Sequence, residues 1–333
     1  MTKKVSVIVP CYNEEKTIQL LLNALYAQTF SRLEMEVVIA DGLSSDDTRK
    51  MIALFQQEFP DLEIRVIDNP KRNIPAGLNV ALAAATGEYV IRLDAHSVPD
   101  KEYVKRSVDD LEGRLGDNVG GVWDIQPGGS DWISRSITAA ATSPVGTGNA
   151  SYRYATKASA VDTVPFGAFR KNYLDQIGGW DELLLSNEDY ELNMRIKKLG
   201  GKVWLDPAIR CVYFTRTTFS ALARQYWRYG YWKAQMLKRY PTTALARQFL
   251  PPLLVSSLSF FLVLSIWVIL ARWVLLLELL LYGAVLLGIG LNLAIKKHDS
   301  ALIIGVPGAI AIMHLVWGTG LLYGLAVNTV NRN

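Results

Sequence analysis

Two cysteines, Cys11 and Cys211, are all that 333 residues contain. So few exclude a disulfide framework and fit a reducing compartment. Histidine is nearly as scarce, three in the chain, so one placed where a strand runs out stands out. There is no glycine-rich dinucleotide or phosphate loop, no internal repeat and no low-complexity segment. The start, MTKKVSVIVPCYNEE, is charged, but its apolar run is too short for a signal peptide and lacks a small-residue cleavage site. The first domain is therefore expected to stay in the cytoplasm, where the sequon Asn149-Ala150-Ser151 would not meet a glycosylation enzyme. Acidic residues are missing altogether between Asp206 and Glu278.

That acid-free gap holds Arg210, Arg216, Arg224, Arg228, Lys233, Lys238, Arg239 and Arg247, interleaved with Tyr226, Trp227, Tyr229, Tyr231, Trp232 and Tyr240. Basic and aromatic residues mixed just ahead of an apolar run suit an anionic membrane surface better than nucleic acid. Half of the residues are hydrophobic, and the excess lies beyond Arg247. Apolar runs extend over Leu253–Ala271, over Trp273–Ile295 with Glu278 and Asn292 inside, and over Ala301–Val327 with Pro307 and His314 inside. Each is long enough to cross a hydrocarbon core of about 30 Å as a helix. Three membrane helices are expected, with Lys296-Lys297 on the cytoplasmic side.

Upstream, VSVIVP, MEVVIAD, EIRVID and GEYVIRLD have the continuous apolar character of strands covered on both faces. Helix-like stretches alternate with them: EEKTIQLLLNALYAQ, DDTRKMIALFQQEF and PAGLNVALAAAT. Ser44 or Ser45 ahead of Asp46-Asp47 is a candidate N-cap. This alternation predicts right-handed β-α-β units in a doubly wound α/β sheet, with ligands beyond the carboxyl ends of the strands.

Polar residues collect at those ends: Tyr12, Asn13 and Glu14 after the first strand, Asp41 after the second, Asp94 and His96 after the fourth. On an extended backbone Asp94 and His96 would share a face. A carboxylate with a neutral imidazole suits a divalent cation whose shell phosphate and water complete; a solvated loop histidine is the plainer alternative. In SNEDYELNMRIKKLGG, from Ser186 to Gly201, Tyr190, Leu192, Met194, Ile196 and Leu199 form an apolar face and the glycine pair ends the helix. Ser186 or Asn187 is its candidate N-cap, with Glu188 and Asp189 in the first turn. Acids there complement the helix dipole; one of them as a general base for an alcohol is the functional alternative. In RQYWRYGYWK, Arg224 to Lys233, an arginine such as Arg228 suits a diphosphate and the aromatics suit a sugar ring.

In this order the segments resemble an inverting family 2 glycosyltransferase of the GT-A fold, a Rossmann-like nucleotide-diphospho-sugar transferase. VSVIVPCYNEEKTI resembles the opening strand and nucleotide-binding turn, and VVIADGLSSDDT the second strand, with Ala40 in the place of a first aspartate. RNIPAGLNVALAAATGEYVIRLDAH resembles the approach to the metal-binding DxD motif, and VPFGAFRK the acceptor-side segment. NEDYELNMRIKKLG is similar to the ED motif and QYWRY to the QxxRW motif. The resemblance covers roughly residues 5 to 235. The DAH triplet and the C-terminal apolar runs are most similar to succinoglycan-type exopolysaccharide glycosyltransferases.

The resemblance implies a cytoplasmic GT-A catalytic domain over 1–215, a basic-aromatic interfacial helical segment over 216–250, and a membrane domain over 251–333. It implies transfer from a nucleotide sugar, UDP-linked, to an acceptor hydroxyl; the apolar runs and the basic-aromatic segment point to a polyprenyl-linked saccharide or another membrane-proximal acceptor at the inner membrane. Donor binding falls to Pro10, Tyr12, Glu14, Asp41, Arg72 and Asp94. Asp94 and His96 would hold Mg²⁺ or Mn²⁺, and Asp189 would be the catalytic base. Gly167, Glu188, Gln225 and Arg228 would serve the acceptor and diphosphate. His96 stands where the motif has a second aspartate, which bears on the metal's identity and affinity, and Tyr229 where it has a tryptophan, which weakens a claim of processive synthesis. A nucleotidyltransferase, and a non-catalytic membrane subunit that binds a nucleotide sugar, are the alternative functions; no nucleic-acid partner is expected.

Overall fold

A computed structural model describes residues 3–148 and 150–327. Asn149 of the sequon lies outside the described residues. The strands are β1 (Val5–Cys11), β2 (Met35–Asp41), β3 (Glu63–Asp68), β4 (Tyr89–Arg92), β5 (Val98–Pro99), β6 (Asn118–Gln126), β7 (Ser159–Ala160), β8 (Ala168–Arg170) and β9 (Val203–Phe214). The helices are α1 (Ile18–Tyr26), α2 (Thr48–Glu58), α3 (Ile74–Ala84), α4 (Tyr103–Glu112), α5 (Trp132–Ala141), α6 (Pro144–Thr147), α7 (Lys171–Ile177), α8 (Glu188–Lys198), α9 (Phe219–Arg239), α10 (Leu250–Leu264), α11 (Ile269–Lys297) and α12 (Leu302–Ala326).

The chain divides into two compact units, Met1–Asp124 with Ser151–Tyr213, and Ile125–Ala150 with the chain from Phe214 on. In the first, one sheet runs β3-β2-β1-β4-β8-β6-β9-β5, with β7 against β9. The four expected strands are parallel, in the order β3, β2, β1, β4, and β8 then joins β4 antiparallel. The sheet is therefore mixed beyond β4. Alternation along each strand supplies both of its faces. Val5, Val7, Val9, Val37 and Ile39 pack with α1, α2 and α4. Ile8, Val38, Ala40 and Val90 pack on the other side with Leu78 of α3, Leu174 of α7 and Ile196 of α8.

Two local expectations differ. Neither Ser44 nor Ser45 caps α2; Asp47 holds the N-cap position, and Asp46 Oδ1 accepts from Thr48 N and Oγ1 at 3.1 and 2.6 Å. Ser44 is drawn away by Asp41. In α8, Leu192 and Ile196 are buried, but Leu199 just past its end is 64 % exposed, and the inward face holds the polar Asn193, bonded to Asn118 of β6. Asn187 does occupy the N-cap of α8, in a left-handed conformation with no side-chain cap bond.

The second unit is helical, and α12 is its centre. Glycines let its neighbours approach. A Cβ on Gly320 would sit 2.7 Å from Trp227 O of α9, one on Gly318 2.6 Å from Pro251 O of α10, and one on Gly290 of α11 2.8 Å from Ile303 O of α12. Gly320 and Gly324 form a small-xxx-small pair against α9. Three helical stretches are long and apolar enough to cross a membrane: Ala246–Leu264, Ile269–Lys297 and Leu302–Ala326. The first ends at Leu264, short of the expected Ala271. Arg272 terminates it, donating from Nε to Ser265 O at 2.8 Å and satisfying a carbonyl at the helix end. Ser257, Glu278 and His314 inside the runs have partners: Ser257 donates to Glu278 at 3.0 Å, and His314 faces Tyr282 OH at 3.1 Å and Val145 O at 2.9 Å.

Candidate active site

Parallel strands leave their carboxyl ends at one edge, and the polar turns meet there. The β1 and β2 turns interlock: Asn13 N donates to Ser44 Oγ at 2.8 Å, Ser45 N to Asn13 Oδ1 at 2.9 Å, and Glu14 N to Thr48 Oγ1 at 2.8 Å. Asp41 is fully buried and spends its carboxylate on Ser44 N at 3.0 Å, on Ser44 Oγ and on Arg49 Nε. It organises the turn instead of facing solvent. Pro10 is buried in β1, whereas Tyr12 is 45 % exposed, with its ring over Gly42. Arg72 is exposed on the turn after β3, with a φ of 53°. Burial, reinforced by the Asp41 charge, pushes the Cys11 thiol up, so it is no nucleophile at neutral pH.

Asp94 and His96 do not share an extended segment. The strand stops at Arg92, and Ser97 closes a turn by donating from N and Oγ to Asp94 O at 3.0 and 2.6 Å. Their side chains consequently go to different partners. His96 Nδ1 faces Glu14 Oε1 at 3.0 Å, and Asp94 Oδ1 accepts from Arg92 Nη2 at 3.0 Å. Among the described residues no three His, Cys, Asp or Glu side chains converge on one point. A metal cage made of protein alone is therefore not built. Any ion held at this turn would have to take most of its shell from phosphate and water.

Arg92 is the residue that sequence reasoning passed over. It is 3 % exposed, and its guanidinium meets three carboxylates: Asp94, Glu188 Oε1 at 3.2 Å and Asp189. The DxD-like turn and the first turn of α8 are thus joined through one side chain. Asp189 also accepts from Phe166 N at 3.3 Å and Trp180 Nε1 at 3.2 Å. Phe166 and Gly167 both have positive φ, 63° and 109°, which turns the Phe166 N–H toward Asp189. Behind them Asn193 Nδ2 donates to Thr163 Oγ1 at 2.8 Å and Val164 O at 3.2 Å. Trp180 is set by Asn79, which exchanges two 2.9 Å hydrogen bonds with its backbone. A hydrophobic strand interrupted by a single arginine, YVIRLD, was the available signal for Arg92; nothing local marked Trp180.

Gln225 and Arg228 lie on α9 in the second unit, where Gln225 Nε2 donates to Tyr229 OH at 2.9 Å and Arg228 is exposed. Tyr229, in the place of the motif's tryptophan, thus orients that glutamine.

The profile of Glycosyl transferase family 2 matches residues 6–178. Succinoglycan biosynthesis protein ExoA of Rhizobium meliloti (strain 1021) is 30 % identical over 318 residues, 94 % of this chain and 92 % of that protein. A Methanococcus voltae dolichyl N-acetyl-alpha-D-glucosaminyl phosphate 3-beta-D-2,3-diacetamido-2,3-dideoxy-beta-D-glucuronosyltransferase is 26 % identical over 238 residues, 71 % of this chain and 74 % of that one. Among solved structures, the mannosyltransferase PcManGT from Pyrobaculum calidifontis, in complex with GDP-Man and Mn²⁺, superposes with a TM-score of 0.59 at 20 % identity, covering 94 % of this chain and 88 % of that one. S. aureus TarS 1-349 in complex with UDP-GlcNAc gives 0.52 at 19 %, covering 94 % and 90 %. These likenesses establish the GT-A fold.

Proposed function

This chain belongs to glycosyl transferase family 2, and from that premise we propose that it moves a sugar from a nucleotide sugar to an acceptor hydroxyl with inversion. That it is a glycosyltransferase follows from its family and its relatives. One observation carries the finer reading: Arg92 holds Asp94, on the donor side, and Asp189, at the start of α8, on one guanidinium.

The interlocked turns around Asn13, Glu14 and Ser44 receive the nucleoside, with Pro10 and Asp41 shaping them and Tyr12 offering an exposed ring. Arg72 and Asp94 complete the donor site. Asp94 and His96 are the residues that would hold Mg²⁺ or Mn²⁺, which when bound neutralises charge on the departing diphosphate. Asp189 takes the proton of the acceptor hydroxyl as its oxygen attacks the anomeric carbon from the face opposite the diphosphate. The new C–O bond forms as the bond to the diphosphate oxygen breaks, and that oxygen keeps the electron pair. An α-linked donor gives a β-linked product. Gly167 and Glu188 border the acceptor side.

The apolar C-terminal helices mark a membrane protein, and the basic-aromatic α9 suits an anionic inner surface. We infer a polyprenyl-linked saccharide acceptor at the inner membrane, with the catalytic unit cytoplasmic, in cell-surface polysaccharide synthesis. The test is radiolabel transfer to the membrane lipid fraction from a panel of UDP- and GDP-sugars, with and without divalent metal. Asp189→Asn should abolish transfer while leaving nucleoside diphosphate binding intact. Retained turnover would sink the assignment of the base.

A further inference from the structure

The two oxygens of Asp189 are not equivalent. Oδ2 accepts from Arg92 Nη1 and from Phe166 N at 3.3 Å, whereas among the described residues Oδ1 accepts from Trp180 Nε1 alone, at 3.2 Å. A carboxylate oxygen has about two in-plane lone-pair sites. Both are spent on Oδ2 and one is left on Oδ1. From this geometry we infer that Arg92 and Trp180 are positioning residues for transfer. They clamp the Asp189 carboxylate from its two ends and present Oδ1 to the acceptor hydroxyl. The inference rests on Asp189 being the base.

The clamp is stiff at both ends. Arg92 is 3 % exposed and Trp180 is 2 % exposed, so neither side chain swings without moving its surroundings. The backbone N–H of Arg92 donates to Gly167 O at 2.9 Å, tying it to the turn that supplies the Phe166 N–H. Trp180 packs edge-on against Phe169 at 6.0 Å between ring centroids and is held to α3 through Asn79.

Only a guanidinium suits the first position. Its planar fork gives Nη1 to Asp189 and Nη2 to Asp94 and Glu188, fixing their spacing in a way that one ammonium point charge cannot. It stays protonated throughout the reaction, so it never competes for the acceptor's proton. The buried Nε of Arg92 has no hydrogen-bond partner among the described residues. Its orientation therefore follows from the carboxylates at the other end of the group.

The experiment uses the full chain in detergent with the nucleotide sugar selected from the panel. It compares Trp180→Phe, Arg92→Lys and Asp189→Asn, with melting by circular dichroism confirming that each folds. Trp180→Phe keeps a ring against Phe169 and removes the N–H. It should lower kcat about tenfold, the loss of one hydrogen bond to a charged group, with donor KM unchanged. Arg92→Lys should lower kcat about a hundredfold, with a much smaller rise in donor KM because Nη2 also holds Asp94. Should Arg92→Ala fold, added guanidinium ion at millimolar concentration should restore part of its turnover, which a merely structural defect would not allow. Wild-type kcat in both Trp180→Phe and Arg92→Lys, with Asp189→Asn inactive, would overturn the clamp and leave the base. A donor KM raised in proportion to the loss would assign Arg92 to the donor and overturn it equally. Turnover by Asp189→Asn would instead remove the base on which the clamp depends.

Discussion

His96 Nδ1 lies 3.0 Å from Glu14 Oε1, so the turns after β1 and β4 meet through a carboxylate–imidazole pair. A carboxylate behind an imidazole fixes ring orientation and raises basicity toward a metal. Imidazole also favours Mn²⁺ over Mg²⁺ relative to an all-oxygen pair. His96→Asp should therefore shift the ion preference of turnover toward Mg²⁺. Glu14→Gln should raise the Mn²⁺ concentration for half-activity about tenfold. Turnover measured against each ion checks both, and unchanged preference in His96→Asp would make the histidine a tolerated variant.

Gly167 cannot carry a side chain without disturbing the base. Its φ is 109°, and a Cβ would lie 2.5 Å from Asn118 Oδ1. Gly167→Ala should cost about 2 kcal/mol of stability and lower kcat by drawing Phe166 N away from Asp189. Gly200→Ala, also at positive φ but with nothing within 4 Å, should cost stability alone. Urea melts and transfer rates on the same samples separate the two.

Asp110 on α4 has a buried Oδ2 without a partner, and burial, with Asp206 and Asp109 nearby, pushes its carboxyl up to about 6. The folded protein holds this proton more tightly than the unfolded chain, where aspartate titrates near about 3.9. Its stabilisation is therefore present below that value and is lost as pH rises through about 6. Asp110→Asn should melt higher than wild type at pH about 7.5, with the gap closing toward pH about 4. A gap independent of pH would refute the assignment.

In the helical unit, a Cβ on Gly324 would lie 2.7 Å from Ala234 Cβ and 2.9 Å from Tyr231 O. Gly324→Leu should push α9 off α12 and cost about 1–3 kcal/mol. Gly283→Leu on α11, with nothing within 4 Å, is the matched control. Detergent melts in which the two behave alike would show that α9 and α12 do not need the close approach.

Much of the catalytic unit could be read from sequence for a simple reason. Strands buried on both faces need unbroken runs such as VSVIVP and MEVVIAD, and parallel strands joined by helices put their polar turns at one edge. The pairs that escaped were long-range. Ser44 serves Asp41 and Asn13 instead of capping α2, because a buried carboxylate's demand for donors outweighs a local cap. Leu199 follows the helical apolar period yet is 64 % exposed, while Asn193 is buried, because that asparagine is called inward by the Thr163–Val164 backbone and side chain.

By itself the sequence determined the four parallel strands, the helices between them, the helix from Glu188 and the three apolar stretches, since those depend on short-period burial patterns along the chain. It also placed Asp94, Glu188 and Asp189 at element ends, and those motifs identified the family. Only the tertiary structure decided that a buried arginine on β4 and an indole before α8 meet on Asp189. Hydrogen bonds between side chains separated by 97 residues and by 9 residues depend on how the sheet and α8 pack, and no spacing along the chain encodes that distance.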